Sequence, residues 1–150
     1  MAGSDERGGR ATGDALVERA RAAMRAAYAP YSRFHVGAAL EADDGRVFVG
    51  CNVENASFPV GVCAERVALG HAVVSGARAF RRIAVATTGD APASPCGMCR
   101  QALLEFGTDL QVISVSEAGE RRSWTLEELL PFAFRPADPG RSRIPLEGEE

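Results

Sequence analysis

Apolar and polar residues alternate in two neighbouring segments of the chain. Apolar side chains occupy every second position from Phe34 to Leu40 and again from Val47 to Cys51. This period of two is typical of strands that bury one face. The turn-forming run Asp43-Asp44-Gly45 lies between the two segments, which therefore predict a β-hairpin.

Helical spacing of apolar residues appears in other parts of the chain. An apolar stripe predicts a helix from about Asp14 to Ala27, which Pro30 ends. Two more helices are predicted over residues 62–75 and 96–106. The pattern Thr125-x-x-Glu128 is a capping box, which predicts the start of a short last helix.

The remaining apolar runs complete the predicted fold. Residues 83–86 and 110–115 read as buried strands, and residues 123–124 as part of a short further one. A hairpin followed by alternating helices and strands predicts a three-layer α/β/α sandwich with a mixed sheet of about five strands. We expect one domain over residues 14–135, with residues 1–13 and 136–150 as mobile tails because they are polar and rich in Gly, Pro or charge.

Composition narrows the classes of function. The chain has 150 residues with 46% hydrophobic and 25% charged residues, as in a soluble domain. No apolar run approaches the roughly 20 residues that cross a bilayer, so no membrane partner is expected. The N-terminal segment has no apolar signal region, so a cytoplasmic location is expected.

The charged residues argue against nucleic-acid binding and against lysine-dependent catalysis. The net charge of −3 disfavours a nucleic-acid partner, which usually requires a basic surface. All 17 basic residues are arginine. Lysine-dependent mechanisms such as Schiff-base formation are therefore excluded.

Three of the four cysteines have the spacing of a metal site. Cys63 lies at the start of one predicted helix, and Cys96 and Cys99 open another in the motif Pro-Cys-Gly-Met-Cys. Residues three apart on a helix share one face, so these two thiols can point to a common centre. Helix N-termini stabilise thiolates, and three protein ligands leave a fourth tetrahedral position of zinc open, as in catalytic sites. Cys51 follows the strand alternation and is expected in the core.

The acidic residue beside this cluster predicts proton transfer. Glu65 follows Cys63 by two residues and is free to move protons between an attacking water, a ring nitrogen and a leaving amine. Three thiolates around Zn²⁺ leave one excess negative charge, which two helix N-termini and Arg66 would offset. The combined pattern Cys-x-Glu and Pro-Cys-x-x-Cys is the signature of zinc-dependent nucleobase deaminases.

Simpler interpretations explain each half of this pattern alone. An isolated Cys-x-x-Cys can be a redox pair, although an aromatic residue usually precedes its first cysteine and Pro95 does so here. A structural zinc site requires a fourth Cys or His at matching spacing, which the sequence does not offer.

Five blocks between Tyr28 and Phe134 resemble the small homotetrameric cytidine deaminases. They are Tyr28-Ala-Pro-Tyr-Ser-Arg-Phe-His-Val-Gly-Ala-Ala, Gly50-Cys-Asn-Val-Glu-Asn, Cys63-Ala-Glu-Arg, Ser94-Pro-Cys-Gly-Met-Cys-Arg-Gln and Glu128-Leu-Leu-Pro-Phe-Ala-Phe. The resemblance implies one Zn²⁺ per subunit on Cys63, Cys96 and Cys99. It also implies Glu65 as the proton shuttle, with Arg66 hydrogen-bonded to the ligand sulfurs.

The resemblance also implies substrate-binding residues. Asn52 and Glu54 match the ribose-binding pair, and their spacing of two at a strand end puts them on one face. Phe34 and Phe134 match aromatic positions around the pyrimidine ring, although Phe34 alone would be interpreted as core. The backbone carbonyl of Ala64 would orient the amide edge of the base.

The implied activity is hydrolytic deamination of cytidine and deoxycytidine by a zinc-bound hydroxide, a step of pyrimidine salvage. In this family the C-terminal phenylalanine reaches a neighbouring subunit's site, so a homotetramer with shared sites is implied. Phe58 and Phe132 depart from the expected tyrosine and small residue, which affects the interface rather than the reaction.

Three other functions compete with this interpretation. The same zinc chemistry would serve a deaminase of another amino-heterocycle, such as a blasticidin-S-type antibiotic or a modified cytosine nucleoside. A polynucleotide-editing deaminase would need a basic track for its strand. A non-enzymatic zinc or redox module would bind metal or cycle its thiols without turnover.

Overall fold

A computed structural model describes residues 6–135, with backbone alone for residues 6–12. The predicted C-terminal tail therefore lies outside the described residues. The helices are α1 (Glu6–Met24), α2 (Ala64–Val74), α3 (Gly97–Leu104) and α4 (Leu126–Leu129). The strands are β1 (Val36–Ala42), β2 (Val47–Cys51), β3 (Phe80–Thr87), β4 (Gln111–Ser116) and β5 (Arg121–Thr125). A single 3₁₀ turn over Phe58–Val60, which the sequence patterns did not predict, completes the elements described.

The five strands form one mixed sheet in the order β2-β1-β3-β4-β5. β1 pairs antiparallel with β2 and β3, β3 pairs parallel with β4, and β4 pairs antiparallel with β5. The predicted hairpin is confirmed, and Gly45 supplies the positive φ of 89° that its turn requires. The parallel pair needs a crossover, which α3 provides.

Two hydrophobic cores lie on opposite faces of the sheet. Alternate residues of β3 divide between them, because Ile83 and Val85 face α2 and α3 whereas Ala84 and Ala86 face α1. β3 is buried on both faces, which explains its unbroken apolar run. The predicted three-layer α/β/α sandwich with a mixed five-stranded sheet is therefore confirmed.

Glycines let the helices lie directly on the sheet. A Cβ on Gly37 would lie 2.0 Å from the carbonyl oxygen of Ala20 in α1. A Cβ on Gly50 would lie 2.4 Å from the amide nitrogen of Ala68 and 2.5 Å from the carbonyl oxygen of Ala64, both in α2. Because backbone atoms cannot move aside as a flexible side chain can, a larger residue at Gly37 or Gly50 would push the helix away. Glycine at these two positions therefore allows α1 and α2 to pack at their observed distance from the strands.

Several helix boundaries differ from those predicted. α1 begins at Glu6 instead of Asp14 and ends at Met24 instead of Ala27. α2 and α3 each begin one residue after a cysteine, because Cys63 and Cys96 are their N-cap residues. The capping box that opens α4 is confirmed by reciprocal hydrogen bonds between Thr125 and Glu128.

Candidate metal centre and active site

A cavity of about 610 Å³ opens where α2 and α3 begin. Val85 and Thr87 of β3 line its buried end, where each side chain is 1% exposed. Tyr31 and Phe58 form its open rim, and their rings meet edge to face at 6.1 Å. The cavity therefore lies beyond the carboxyl end of β3, the side of an open α/β sheet at which ligands usually bind.

Cys63 and Cys96 line this cavity, and the fully buried Cys99 joins them in one sulfur cluster. Their three sulfur atoms lie within 4.8 Å of one another, and the Sγ atoms of Cys63 and Cys96 are 3.7 Å apart. Cys63 is half-buried, Cys96 is exposed and Cys99 is fully buried. The folded chain thus brings together the three thiols that the sequence singled out.

The two helix starts supply the electrostatics of this cluster. Cys63 and Cys96 have extended N-cap conformations, and neither side chain caps its own helix by a hydrogen bond. Their sulfurs are therefore not used for capping. The unpaired N–H groups and positive dipole end of each helix favour negative charge there.

Cys63 and Cys99 do not ionise alike. A hydrogen bond from the Cys99 thiol lowers the pKa of Cys63 to about 5, with a smaller contribution from Cys96. The same hydrogen bond and burial raise the pKa of Cys99 far above that of a free thiol. Within this pair, the negative charge thus favours Cys63 and the proton favours Cys99.

The cluster fits a zinc ion. Two thiolates bound at about 2.3 Å to one tetrahedral Zn²⁺ lie roughly 3.8 Å apart, close to the distance between Cys63 and Cys96. Thiolate sulfur is a preferred zinc ligand. Among the described side chains, those of residues 13–135, no fourth His, Cys, Asp or Glu joins the group. The cluster could therefore hold one zinc with a coordination position left for a small molecule.

Glu65 lies in the first turn of α2 and lines the same cavity. It is 5% exposed. Burial, reinforced by the negative charge of Cys63, raises the pKa of its carboxyl group above the usual value. A carboxyl group of raised pKa beside three sulfurs is suited to accepting and releasing a proton.

Arg66 follows Glu65 and adjoins the sulfur cluster. Its guanidinium contributes to the lowered pKa of Cys63 through a hydrogen bond and its positive charge. Its Nε atom is buried and has no hydrogen-bond partner among the residues described. Arg66 therefore places a cation where the thiolate charge accumulates.

Asn52 and Glu54 both line the cavity, just after β2. The Asn52 amide bridges the start of β1, since Oδ1 accepts from the Val36 amide at 2.8 Å and Nδ2 donates to the Phe34 carbonyl at 2.8 Å. The Glu54 carboxylate accepts hydrogen bonds from the Ser32 side chain and from the amides of Tyr31 and Ser32. These bonds lower the pKa of Glu54, so it faces the cavity as a fixed anion.

The aromatic residues divide between the cavity and the outer surface. Phe34 is 42% exposed and lines the cavity, so it is not a core residue. Ala64 is fully buried in the cavity wall. Phe132 and Phe134 project from the C-terminal segment, where Phe134 is 81% exposed and lies outside this chain's cavity.

Cys51 takes no part in the sulfur cluster. Its side chain is half-buried at the end of β2, so the expectation that it lies in the core is met only in part. The strand alternation turns it to the same face as Val47 and Val49, which pack against the α1 core.

Sequence reasoning missed two polar residues at the site. Thr87 is buried at the cavity end, and its hydroxyl has no hydrogen-bond partner among the residues described. The alternation of β3 could have indicated that Thr87 shares a face with Val85. Arg100 binds the segment that precedes Cys96. The hydrogen-bond acceptors of Arg100 are mostly main-chain carbonyls, and no sequence motif indicates contacts of this kind.

Comparisons with known proteins agree with this geometry. Residues 11–115 match the family model described as the cytidine and deoxycytidylate deaminase zinc-binding region. The cytidine deaminase of Sporosarcina psychrophila is 42% identical over 82% of this chain and 91% of its own length. That of Halalkalibacterium halodurans is 44% identical over 82% of this chain and 94% of its own length.

Solved structures share the same fold. The crystal structure of cytidine deaminase from Burkholderia pseudomallei has a TM-score of 0.78 and 49% identity, and covers 81% of this chain and 98% of its own. The structure of the Mycobacterium tuberculosis enzyme has a TM-score of 0.73 and 40% identity, and covers 82% of this chain and 97% of its own. Within residues 6–135, none of the helices combines the length and apolar character needed to cross a membrane. The chain belongs to the cytidine and deoxycytidylate deaminase family.

Proposed function

We propose that this protein hydrolyses cytidine and deoxycytidine to uridine and deoxyuridine with release of ammonia. The observation that supports the proposal best is a cluster of three cysteine sulfurs at a cavity that two of them, Cys63 and Cys96, line together with the buried carboxyl group of Glu65. Curated relatives that match more than 80% of this chain at over 40% identity are cytidine deaminases. The net reaction consumes one water and replaces the exocyclic amine of the base with an oxygen.

Cys63, Cys96 and Cys99 would hold one zinc ion per subunit. Bound there, zinc supplies a Lewis acid that makes water a nucleophile at neutral pH. The α2 and α3 N-termini and Arg66 offset the negative charge of the thiolates. With the metal bound, these groups would help to hold all three sulfurs as thiolates beside a buried acid.

Glu65 acts as the proton shuttle. Its carboxylate accepts a proton from the attacking water and delivers it to the ring nitrogen next to the attacked carbon. A second proton then passes through the same carboxyl group to the leaving amine. Burial favours the protonated form, which suits a group that must hold a proton between these two transfers.

The rest of the cavity seats the nucleoside. Phe34 supplies an aromatic surface for the base, and the Ala64 carbonyl accepts from its amide edge. Asn52 and Glu54 stand near the rim, where each can use its remaining hydrogen-bonding capacity for a sugar hydroxyl. Glu54 is held by Ser32 and Tyr31, so binding the sugar does not require it to be ordered first.

The active protein is a homotetramer whose sites are shared between subunits. Phe134 is exposed outside its own chain's cavity, and the cavity has an open aromatic rim. A neighbouring subunit's Phe134 would cover the base at that rim. Sedimentation of the purified protein tests this proposal, since a monomer would contradict it.

The proposed setting is pyrimidine salvage in the cytoplasm. None of the four cysteines forms a disulfide in the described residues, and a reducing compartment preserves that state. Loss of growth on cytidine as the pyrimidine source, after deletion of the gene from its host, tests the salvage role.

The decisive experiment is turnover by purified protein of measured zinc content. Cytidine, deoxycytidine, cytosine, blasticidin S and a single-stranded oligonucleotide are compared as substrates. We expect uridine from cytidine, and a Glu65→Gln variant that keeps zinc but loses about 10²- to 10⁴-fold in kcat. Absence of uridine, or deamination of the oligonucleotide alone, overturns the proposed function.

A further inference from the structure

Arg100 lies on α3, the helix that carries Cys99, and its side chain links this helix to the segment before Cys96 and to the end of α4. Its Nε donates to the Pro95 carbonyl at 2.7 Å, and its Nη2 donates to Ser94 Oγ at 2.8 Å. Its Nη1 donates to the Leu129 carbonyl at 2.6 Å. The planar guanidinium thus has a short hydrogen bond in each of three directions.

Two of these bonds fix the extended stretch that leads to Cys96. Pro95 is fully buried and directly precedes this cysteine, while Ser94 lines the cavity. The Cys96 side chain makes no capping bond that would hold it in place. Its backbone is held on one side by α3, where the Cys96 carbonyl accepts from the Arg100 amide at 3.0 Å, and on the other side by Ser94 and Pro95.

The third bond ties the end of α4 to the same point. The last carbonyls of a helix have no partner within it, and Arg100 satisfies the one at Leu129. The next residue of α3, Gln101, donates to the Phe134 carbonyl at 3.3 Å. The start of α3 therefore anchors the C-terminal segment as well as the turn that bears Cys96.

We propose that Arg100 is a positioning residue that holds Cys96 in place for the metal and couples the C-terminal segment to it. Cys99 and Arg100 are adjacent on α3, so the arginine ties Cys96 to the helix of its fellow ligand. A lysine could not replace it fully, because an ammonium lacks the planar fork that reaches three acceptors. Any effect of Arg100 on turnover rests on the proposed function. Its effect on metal binding does not depend on that function.

The experiment compares Arg100→Gln and Arg100→Lys with a matched control, Arg78→Gln. Arg78 also donates to two main-chain carbonyls, of Val73 at 2.8 Å and Ala77 at 2.9 Å, but at the far end of α2. Zinc dissociation constants are measured by competition with a chelator, and Co²⁺-substituted proteins are compared by their ligand-field spectra. Unfolding midpoints in urea are recorded for every variant.

We expect Arg100→Gln to raise the zinc Kd roughly 10- to 100-fold and to alter the Co²⁺ spectrum, as loss of a supporting partner does at other metal sites. Arg100→Lys should give an intermediate Kd, and Arg78→Gln should bind zinc like the wild type. If Arg100→Gln does not fold, the lysine variant decides in its place.

Wild-type zinc affinity and spectrum in every folded Arg100 variant would overturn the inference, and so would an equal loss in Arg78→Gln. A wild-type protein that binds zinc but does not deaminate cytidine overturns the proposed function instead. The metal measurements then still decide the role of Arg100.

Discussion

Two polar side chains at the cavity are buried in a way that makes the folded protein less stable than apolar residues there would. Glu65 is buried with a raised pKa, and the Thr87 hydroxyl is buried without a protein partner among the described residues. Both groups lose solvation on folding, which lowers the free energy of unfolding. Such groups are tolerated at functional sites because binding and catalysis use them.

Removing the Glu65 charge should stabilise the metal-free protein. Because folding raises the pKa of this carboxyl group, the folded state binds more protons than the unfolded state between the usual value of 4.5 and the raised one. The free energy of unfolding therefore falls as pH rises through that window. We expect metal-free Glu65→Gln to be more stable than metal-free wild type at pH 8, with a smaller difference at pH 5.

Urea unfolding of both metal-free proteins at the two pH values measures this difference. A wild type that is the more stable protein at pH 8 would contradict the assignment of a raised pKa.

Replacing Thr87 with valine removes a buried hydroxyl and keeps the shape of the side chain. Since the hydroxyl has no partner in the described residues, we expect the free energy of unfolding to stay the same or rise by about 1 kcal/mol. Thr87→Ala serves as the comparison, because it also leaves a void and should destabilise. A loss of stability in Thr87→Val equal to that in Thr87→Ala would show that the hydroxyl is hydrogen-bonded to bound water.

At the scale of elements, the site depends on how closely α2 lies on the hairpin. The Gly50 position in β2 is bounded by backbone atoms of Ala64 and Ala68. Ala64 directly follows Cys63 and precedes Glu65 in the chain. The distance between β2 and α2 thus fixes the positions of Cys63, the proposed metal ligand, and Glu65, the proposed proton shuttle, together.

Gly50→Ala should push α2 away from the sheet. We expect a loss of roughly 1–3 kcal/mol in the free energy of unfolding, together with weaker zinc binding. Gly70→Ala is the control on the same helix, because nothing lies within 4 Å of its added Cβ and alanine favours helix by about 1 kcal/mol. Unchanged zinc affinity in Gly50→Ala would show that the start of α2 is held independently of the hairpin.

Most elements could be predicted from the sequence because their periodicity is local. β2 was predicted with its observed bounds, and the hairpin turn at Gly45 followed from residue types alone. The start of α1 was missed because Gly8, Gly9 and Gly13 favour other conformations, and propensity gave no reason to extend the helix through them. Cys63 and Cys96 were placed at helix starts, where they prove to be N-caps.

The residues of the site that belong to a sequence motif could be predicted, whereas the contacts made through main-chain hydrogen bonds could not. The three sulfurs were identified from their spacing, and the structure places them within 4.8 Å. The hydrogen bonds by which Asn52 and Glu54 hold the chain around Phe34 involve backbone groups 16 to 23 residues away. Contacts of this kind depend on the whole fold, so no local pattern reveals them.

At the scale of the whole molecule, the proposed tetramer predicts that two inactive variants restore each other. In Glu65→Gln the shuttle is lost, whereas in Phe134→Ala the aromatic cover given to a neighbour is lost. A mixed assembly contains sites that take Glu65 from one subunit and Phe134 from the other. We expect cytidine turnover by a co-refolded mixture to exceed the sum of the two variants measured separately.

The control for this experiment mixes the two proteins without unfolding, so that subunits do not exchange on the time scale of the assay. Additive activity after co-refolding would mean that each site is completed within its own chain.

The sheet separates the two hydrophobic cores, and this separation affects how the amino-acid sequence of the protein can vary. The core under α1 is built from residues such as Leu16, Ala20 and Ile113, none of which lines the cavity. Variation confined to that side can alter thermal tolerance while leaving the kinetics of the opposite side nearly constant. Adaptation to temperature and adaptation to substrate can therefore accumulate in one chain with little interference.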